Sequence, residues 1–214
     1  MVCDQRNAEA NHNFMKLIKT IVSVFDFSGE WSRPYAENGY EVIQIDIKKG
    51  KDIRTINFTD LPDEIYGILL APPCTDFSVS GAQYWKQKDQ DGRTFESIAL
   101  MDAGLRLVAL KKPVFWVLEN PVGRIKNFLG KPKMWFQPHQ FAGWSDNPEK
   151  ERYTKKTGLW GEFNTNLKMK NLEPIKVCKQ GSWIQKLGGS SEKTKELRSM
   201  TPSGFAKAFF DANR

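Results

Sequence analysis

IYGILLAPPC (Ile65–Cys74) is an apolar run that ends in two prolines and a cysteine. A strand-length stretch with no polar alternation reads as a strand buried on both faces, and Pro72-Pro73 cannot continue its ladder. A second such run, VFWVL (Val114–Leu118), passes directly into Glu119-Asn120-Pro121. Between the two, Ile98, Met101, Leu105 and Val108 recur at three- and four-residue intervals. That spacing predicts an amphipathic helix from Thr94 to Lys112, ended by Pro113. Residues 75–93 are polar, carry Gly81 and Gly92, and show no periodicity, so they read as a mobile loop.

The pattern extends in both directions. Upstream, IVSVFDF (Ile21–Phe27) reads as a buried strand meeting a turn at Ser28-Gly29. Pro34 opens a short helix that stops near Asn38-Gly39, and EVIQIDI (Glu41–Ile47) forms a second strand with Asp46 close to its end. Downstream, Met134–Phe141 and Gly158–Trp160 could add antiparallel strands. Thr201-Pro202 opens a last helix through Asn213, with Phe205, Ala208, Phe209 and Ala212 on its docking face. Strands alternating with helices predict an α/β fold, a mostly parallel sheet with helices on both faces. Ligands of such sheets sit beyond the carboxyl ends of the strands, where Ser28-Gly29, Cys74 and Glu119 all fall.

The chain has 214 residues, enough to bury a full core in one domain. Its 40% apolar and 12% aromatic content excludes disordered and collagen-like classes. A net charge of +7 leans toward polyanionic partners. Cys3, Cys74 and Cys178 form no CxxC, and His12 and His139 are the only histidines, which argues against a disulfide scaffold or a metal site. The N-terminus MVCDQRNAEANHNF is polar, and no apolar run approaches the roughly 18 residues of a membrane span, so a soluble, cytoplasmic protein is expected.

Cys74 alone reads equally well as a small buried hydrophobe or as a thiol aimed into the crevice by a rigid Pro-Pro pedestal. Glu119 alone either caps its strand or is an acid whose pKa is raised in a semi-dry crevice. Together on adjacent strand ends they make a nucleophile and a proton donor.

GILLAPPCTDFS (Gly67–Ser78) resembles the proline-cysteine catalytic motif of the DNA (cytosine-5) methyltransferases, and FWVLENPVG (Phe115–Gly123) resembles that family's glutamate motif. FDFSGEW (Phe25–Trp31) is similar to its phenylalanine-glycine cofactor motif, EVIQIDI to its ribose-binding acid, KDIRTI (Lys51–Ile56) to its Asp-Ile pair, and RSMTPSGFAKAF (Arg198–Phe209) to its last motif, especially in phage and prophage forms. The resemblance implies a Rossmann-like, S-adenosylmethionine-dependent, base-flipping enzyme acting on cytosine carbon 5 in DNA. It implies catalytic roles for Cys74 and Glu119, and a cofactor site of Phe27, Ser28, Gly29, Trp31, Asp46, Ile47, Asp52, Ile53, Ala71 and Pro73. RNA or a free cytosine nucleotide as substrate, and a degenerate non-catalytic binding subunit, are the alternatives.

Several departures stand out. Glu30, Trp31 and Ser32 follow Gly29 where the family carries further glycine, and the acid usual at the first strand end falls at Phe25, beside Asp26. Trp31 reads as a cofactor-stacking ring or as core. Aligning GLW with the family's seventh strand places Lys155 where a middle arginine contacts the base, a swap that loses the planar fork; Lys155 and Lys156 read equally as solvated surface charge. The expected division is a polar leader over 1–19, a catalytic domain over 20–161, a Lys-rich insert over 162–197 in place of a target-recognition domain, and a C-terminal helix over 198–214 completing the catalytic domain. Lysines interleaved with Trp183 in that insert suit phosphate contact without sequence readout.

Overall fold

A computed structural model describes residues 18–179, 181–187 and 191–214; nearly all of the polar leader and the pair Gly188-Gly189 lie outside the described residues. Among the described residues six strands form one sheet: β1 Thr20–Val24, β2 Glu41–Ile45, β3 Gly67–Leu70, β4 Phe115–Pro121, β5 Met134–Phe136 and β6 Thr157–Glu162, in the order β2-β1-β3-β4-β6-β5. The first four run parallel, and β6 pairs antiparallel with both β4 and β5. Placing β2 and β3 on opposite sides of β1 creates a topological switch point at the carboxyl ends of the strands.

The unbroken apolar runs follow from burial on both faces. Leu69, Phe115 and Val117 pack into one cluster with Tyr35 of helix Arg33–Glu37 and Phe205 and Phe209 of helix Ser203–Ala212. Their neighbours Ile68, Leu70 and Leu118 pack on the other face with Met101, Ala103 and Leu107 of the long helix Arg93–Lys111. Alternate residues of one strand therefore feed opposite cores, as the two-residue period of a strand requires. Glu151 anchors the last helix: its buried carboxylate accepts from Ser203 N at 2.7 Å, Ser203 Oγ at 2.6 Å, Gly204 N at 2.9 Å and Ser145 Oγ at 3.1 Å. This satisfies donors that a helix start leaves open.

Several segments differ from expectation. The strand expected over Met134–Phe141 covers only Met134–Phe136, because Pro138 opens a turn over Pro138–Gln140, and the one expected at Gly158–Trp160 extends over Thr157–Glu162. The first strand ends at Val24 because Phe25 adopts a left-handed backbone, with φ 63°. The second ends at Ile45 because Asp46 caps the turn Ile47–Lys49, accepting from Lys48 N at 2.8 Å. β4 runs on to Pro121, since β6 partners Glu119 and Asn120 after β3 has stopped beside Leu118. The segment 75–93 is built from helical turns over Val79–Tyr84 and Trp85–Gln90 in place of an irregular loop. The Lys-rich stretch after β6 is strapped to the body at its start: Phe163 and Leu167 are core residues, and Gly143 N donates to Lys170 O at 3.0 Å. It then returns through Trp183–Lys186 and the helix Glu192–Ser199.

Candidate active site

A cavity of about 880 Å³ opens across the carboxyl ends of the sheet. Its walls come from the segments after β1 (Phe25–Ser28), β2 (Asp46–Lys48) and β3 (Ala71, Pro73–Thr75), and from the end of β4 (Pro121, Val122). The returning helix Glu192–Ser199 forms a further wall, where Lys48 Nζ meets Glu196 Oε1 at 2.8 Å and Glu192 Oε2 at 3.5 Å.

Cys74 stands on this wall and keeps partial solvent contact. Asn120 secures its pedestal: the fully buried side chain donates from Nδ2 to Pro72 O at 3.0 Å, tying the end of β4 to the Pro-Pro segment. Burial pushes the Cys74 thiol up, Lys155 pulls it down, the Glu119 carboxylate raises it further and Arg198 lowers it. Burial likewise raises Glu119, against the opposing charge of Lys155. The two effects are coupled. A neutral Glu119, the form its burial favours, withdraws the negative charge that holds the proton on Cys74. Lys155 is half-buried and donates from Nζ to Arg198 O at 3.0 Å, so one ammonium is fixed where its field reaches both groups.

Of the residues singled out from sequence, Cys74, Lys155, Phe27, Ser28, Asp46, Ile47, Asp52, Ile53, Ala71 and Pro73 share the wall of this one cavity. Three do not line it. Glu119 is not a lining residue and is half-buried in β4, whose following residues Pro121 and Val122 do line the cavity. Gly29 serves the turn instead, with φ 72° and the Gln44 amide packed where a side chain would begin. Trp31 is corrected from cofactor wall to core. It is fully buried, with ring centroids 6.2 Å from Phe205 and 6.0 Å from Phe209. The acid beside Phe25 is also structural: Asp26 Oδ2 accepts from Ser23 Oγ, Ser32 N and Ser32 Oγ at 2.9, 3.2 and 2.9 Å.

The model of the C-5 cytosine-specific DNA methylase family matches residues 18–133. The chain belongs to that family. Its mixed α/β architecture and mostly parallel sheet fit the Rossmann-like methyltransferase fold. A solved structure described as a DNA modification methyltransferase encoded within a prophage (E. coli) is similar at 16% identity with a TM-score of 0.39; the match covers 81% of this chain and 56% of that one. This chain thus spans little more than half the length of that structure. No curated protein sequence matches. No helix among the described residues is long and apolar enough to cross a membrane.

The family's cofactor class can be tested against the wall itself. Phe27 and Ile47 are large apolar side chains left exposed there, at 43% and 68%. Asp46 uses Oδ1 for Lys48 N, and its Oδ2 has no partner among the described residues. Apolar faces beside an open carboxylate fit a nucleoside-bearing ligand with a ribose diol. Asp52 is committed otherwise, since Arg54 forks onto both of its oxygens and holds it below the usual carboxylate range. Arg198 is a wall residue to which the sequence gives no role of its own. It opens RSMTPSGFAKAF, a stretch marked by its resemblance to the family's last motif and by its helix, and the chain's return over the cavity brings Arg198 near Cys74.

Proposed function

We propose that the chain transfers a methyl group from S-adenosylmethionine to carbon 5 of cytosine in DNA. The observation that carries this reading is the pairing of Cys74 and Glu119 at neighbouring parallel strand ends, under the shared field of Lys155, beside a cavity large enough for a nucleoside cofactor and an extruded base. The Cys74 thiolate adds to cytosine carbon 6 while Glu119 holds a proton at ring nitrogen 3. The electron pair from that addition makes carbon 5 nucleophilic. The bound cofactor supplies the electrophilic methyl group. Loss of the carbon 5 proton to a base then restores the ring double bond and expels sulfur from carbon 6. Lys155 steadies both partners, and Phe27, Ser28, Asp46, Ile47, Ile53, Ala71 and Pro73 hold the cofactor side. Duplex DNA hides carbon 6, so the base must be extruded into the cavity. The same reading assigns 20–161 and 198–214 to the catalytic unit, and 162–197, where lysines replace a full recognition domain, to phosphate contact with short or relaxed sequence preference.

The decisive assay is covalent capture on 5-fluorocytosine DNA with S-adenosylmethionine. Fluorine at carbon 5 blocks the final elimination, so a denaturation-stable adduct should form and should vanish in Cys74→Ala. An adduct that persists in Cys74→Ala, or no adduct on DNA with label entering RNA or dCMP, overturns the assignment.

A further inference from the structure

Four buried polar side chains, Lys88, Thr94, Ser97 and Arg124, meet around the segment that follows Cys74. Lys88 Nζ donates to Thr75 O at 2.6 Å, the first carbonyl after the nucleophile, and pairs with Asp76 Oδ1 at 2.9 Å. Ser97 Oγ donates to the other Asp76 oxygen at 2.5 Å. Arg124 donates from Nε to Asp76 O at 2.9 Å, from Nη1 to both Asp89 oxygens at 2.8 and 3.0 Å, and from Nη2 to Thr94 Oγ1 at 2.7 Å. Its guanidinium also lies 5.0 Å from the centre of the Trp85 ring. Backbone pairing closes the assembly, with Arg124 N donating to Phe77 O at 2.8 Å and Val79 N to Val122 O at 3.2 Å.

Burying cations is costly, and apolar residues of similar volume commonly serve stability as well or better. What a forked, multiply bonded cation adds is one defined geometry. Here that geometry is imposed on Thr75 and Asp76, immediately after Cys74. We infer that Lys88 and Arg124 are positioning residues for Cys74, fixing the backbone of Thr75 and Asp76 that follows it. This rests on the reading of Cys74 as the nucleophile.

The test uses the full chain with Lys88→Met, Lys88→Arg and Arg124→Lys, each checked for folding by circular dichroism. Misplacing a nucleophile by an ångström costs up to about a hundredfold in rate, so kcat should fall by about that order in Lys88→Met and Arg124→Lys. KM for DNA should stay within about twofold, and Lys88→Arg should recover much of the loss. Arg124→Lys retains the charge and provides the readout if Lys88→Met does not fold. Capture of Cys74 by iodoacetamide, followed at that residue by mass spectrometry, should change in the same variants and recover in Lys88→Arg. Folded variants with unchanged kcat and unchanged Cys74 capture overturn the inference. Failure of the methyltransferase reading shows separately, as a wild-type chain that forms no adduct with 5-fluorocytosine DNA.

Discussion

Trp31→Phe and Trp31→Ala together test whether the indole serves the core or a cofactor. The side chain is fully buried against Phe205 and Phe209, and its Nε1 is buried with no hydrogen-bond partner among the described residues. Truncation to alanine removes the whole ring from a close-packed site, at about 3–5 kcal/mol. Phenylalanine loses apolar contact equivalent to roughly two methylenes, or about 1.5 kcal/mol. It also removes an unsatisfied donor whose burial costs about 1–3 kcal/mol. The two changes nearly cancel, so Trp31→Phe should lie within about 1 kcal/mol of the parent chain. In a chain of this size that is a Tm shift of roughly 2–4 °C, against about 10 °C or more for Trp31→Ala. Thermal unfolding followed by circular dichroism measures the first quantity, and calorimetric titration with S-adenosylmethionine the second. Trp31→Phe should bind cofactor within about twofold of the parent, under half a kcal/mol. A loss beyond about tenfold at unchanged Tm would refute the core placement and return the indole to the cofactor wall.

Lys155→Met removes the positive charge that lowers both the Cys74 thiol and the Glu119 carboxyl, so both pKa values rise. The alkaline inflection of Cys74 alkylation should therefore move to higher pH and return in Lys155→Arg; an unmoved inflection contradicts the shared field. Glu151→Ala leaves Ser203 N and Gly204 N without their acceptor, and the chain should lose about 2–4 kcal/mol, read as a lowered Tm. A loss under about 1 kcal/mol would show that the helix start finds other partners. Gly123→Ala would press a Cβ into the Phe77 carbonyl oxygen, a backbone atom that moves only if the Ser78–Gly123 bridge opens. Limited proteolysis should then cut faster between Val79 and Gln90, and an unchanged cleavage pattern counts against that close approach.

The parts of the fold legible in the sequence were those whose burial leaves a local pattern. Gly67–Leu70 and Phe115–Leu118 announced themselves because both of their faces are covered. The last helix did so because Phe205 and Phe209 recur at helical spacing. The extension of β4 through Pro121 was hidden, since it depends on an antiparallel partner contributed from Thr157–Glu162. The ordering of 75–92 was hidden for the same kind of reason. Its polar residues look solvated until Arg124, remote in sequence, arrives to bond them. Motif context places Cys74 and Lys155 on what the structure shows as one cavity wall, whereas the position of Arg198 and the core packing of Trp31 depend on tertiary contacts that no local spacing encodes.

The two layers of apolar packing carry unequal kinetic burdens. The layer under Arg93–Lys111 draws mostly on residues between Val22 and Ile125, with Trp160 added from β6. The opposite layer closes only when the last helix reaches back: the Tyr35 hydroxyl donates to Asn213 O across 178 positions. Closing so long a loop costs entropy before any contact repays it, which slows assembly. The Ser203–Ala212 helix should therefore be among the last elements to dock as the chain folds, a consequence of where its partners lie along the sequence.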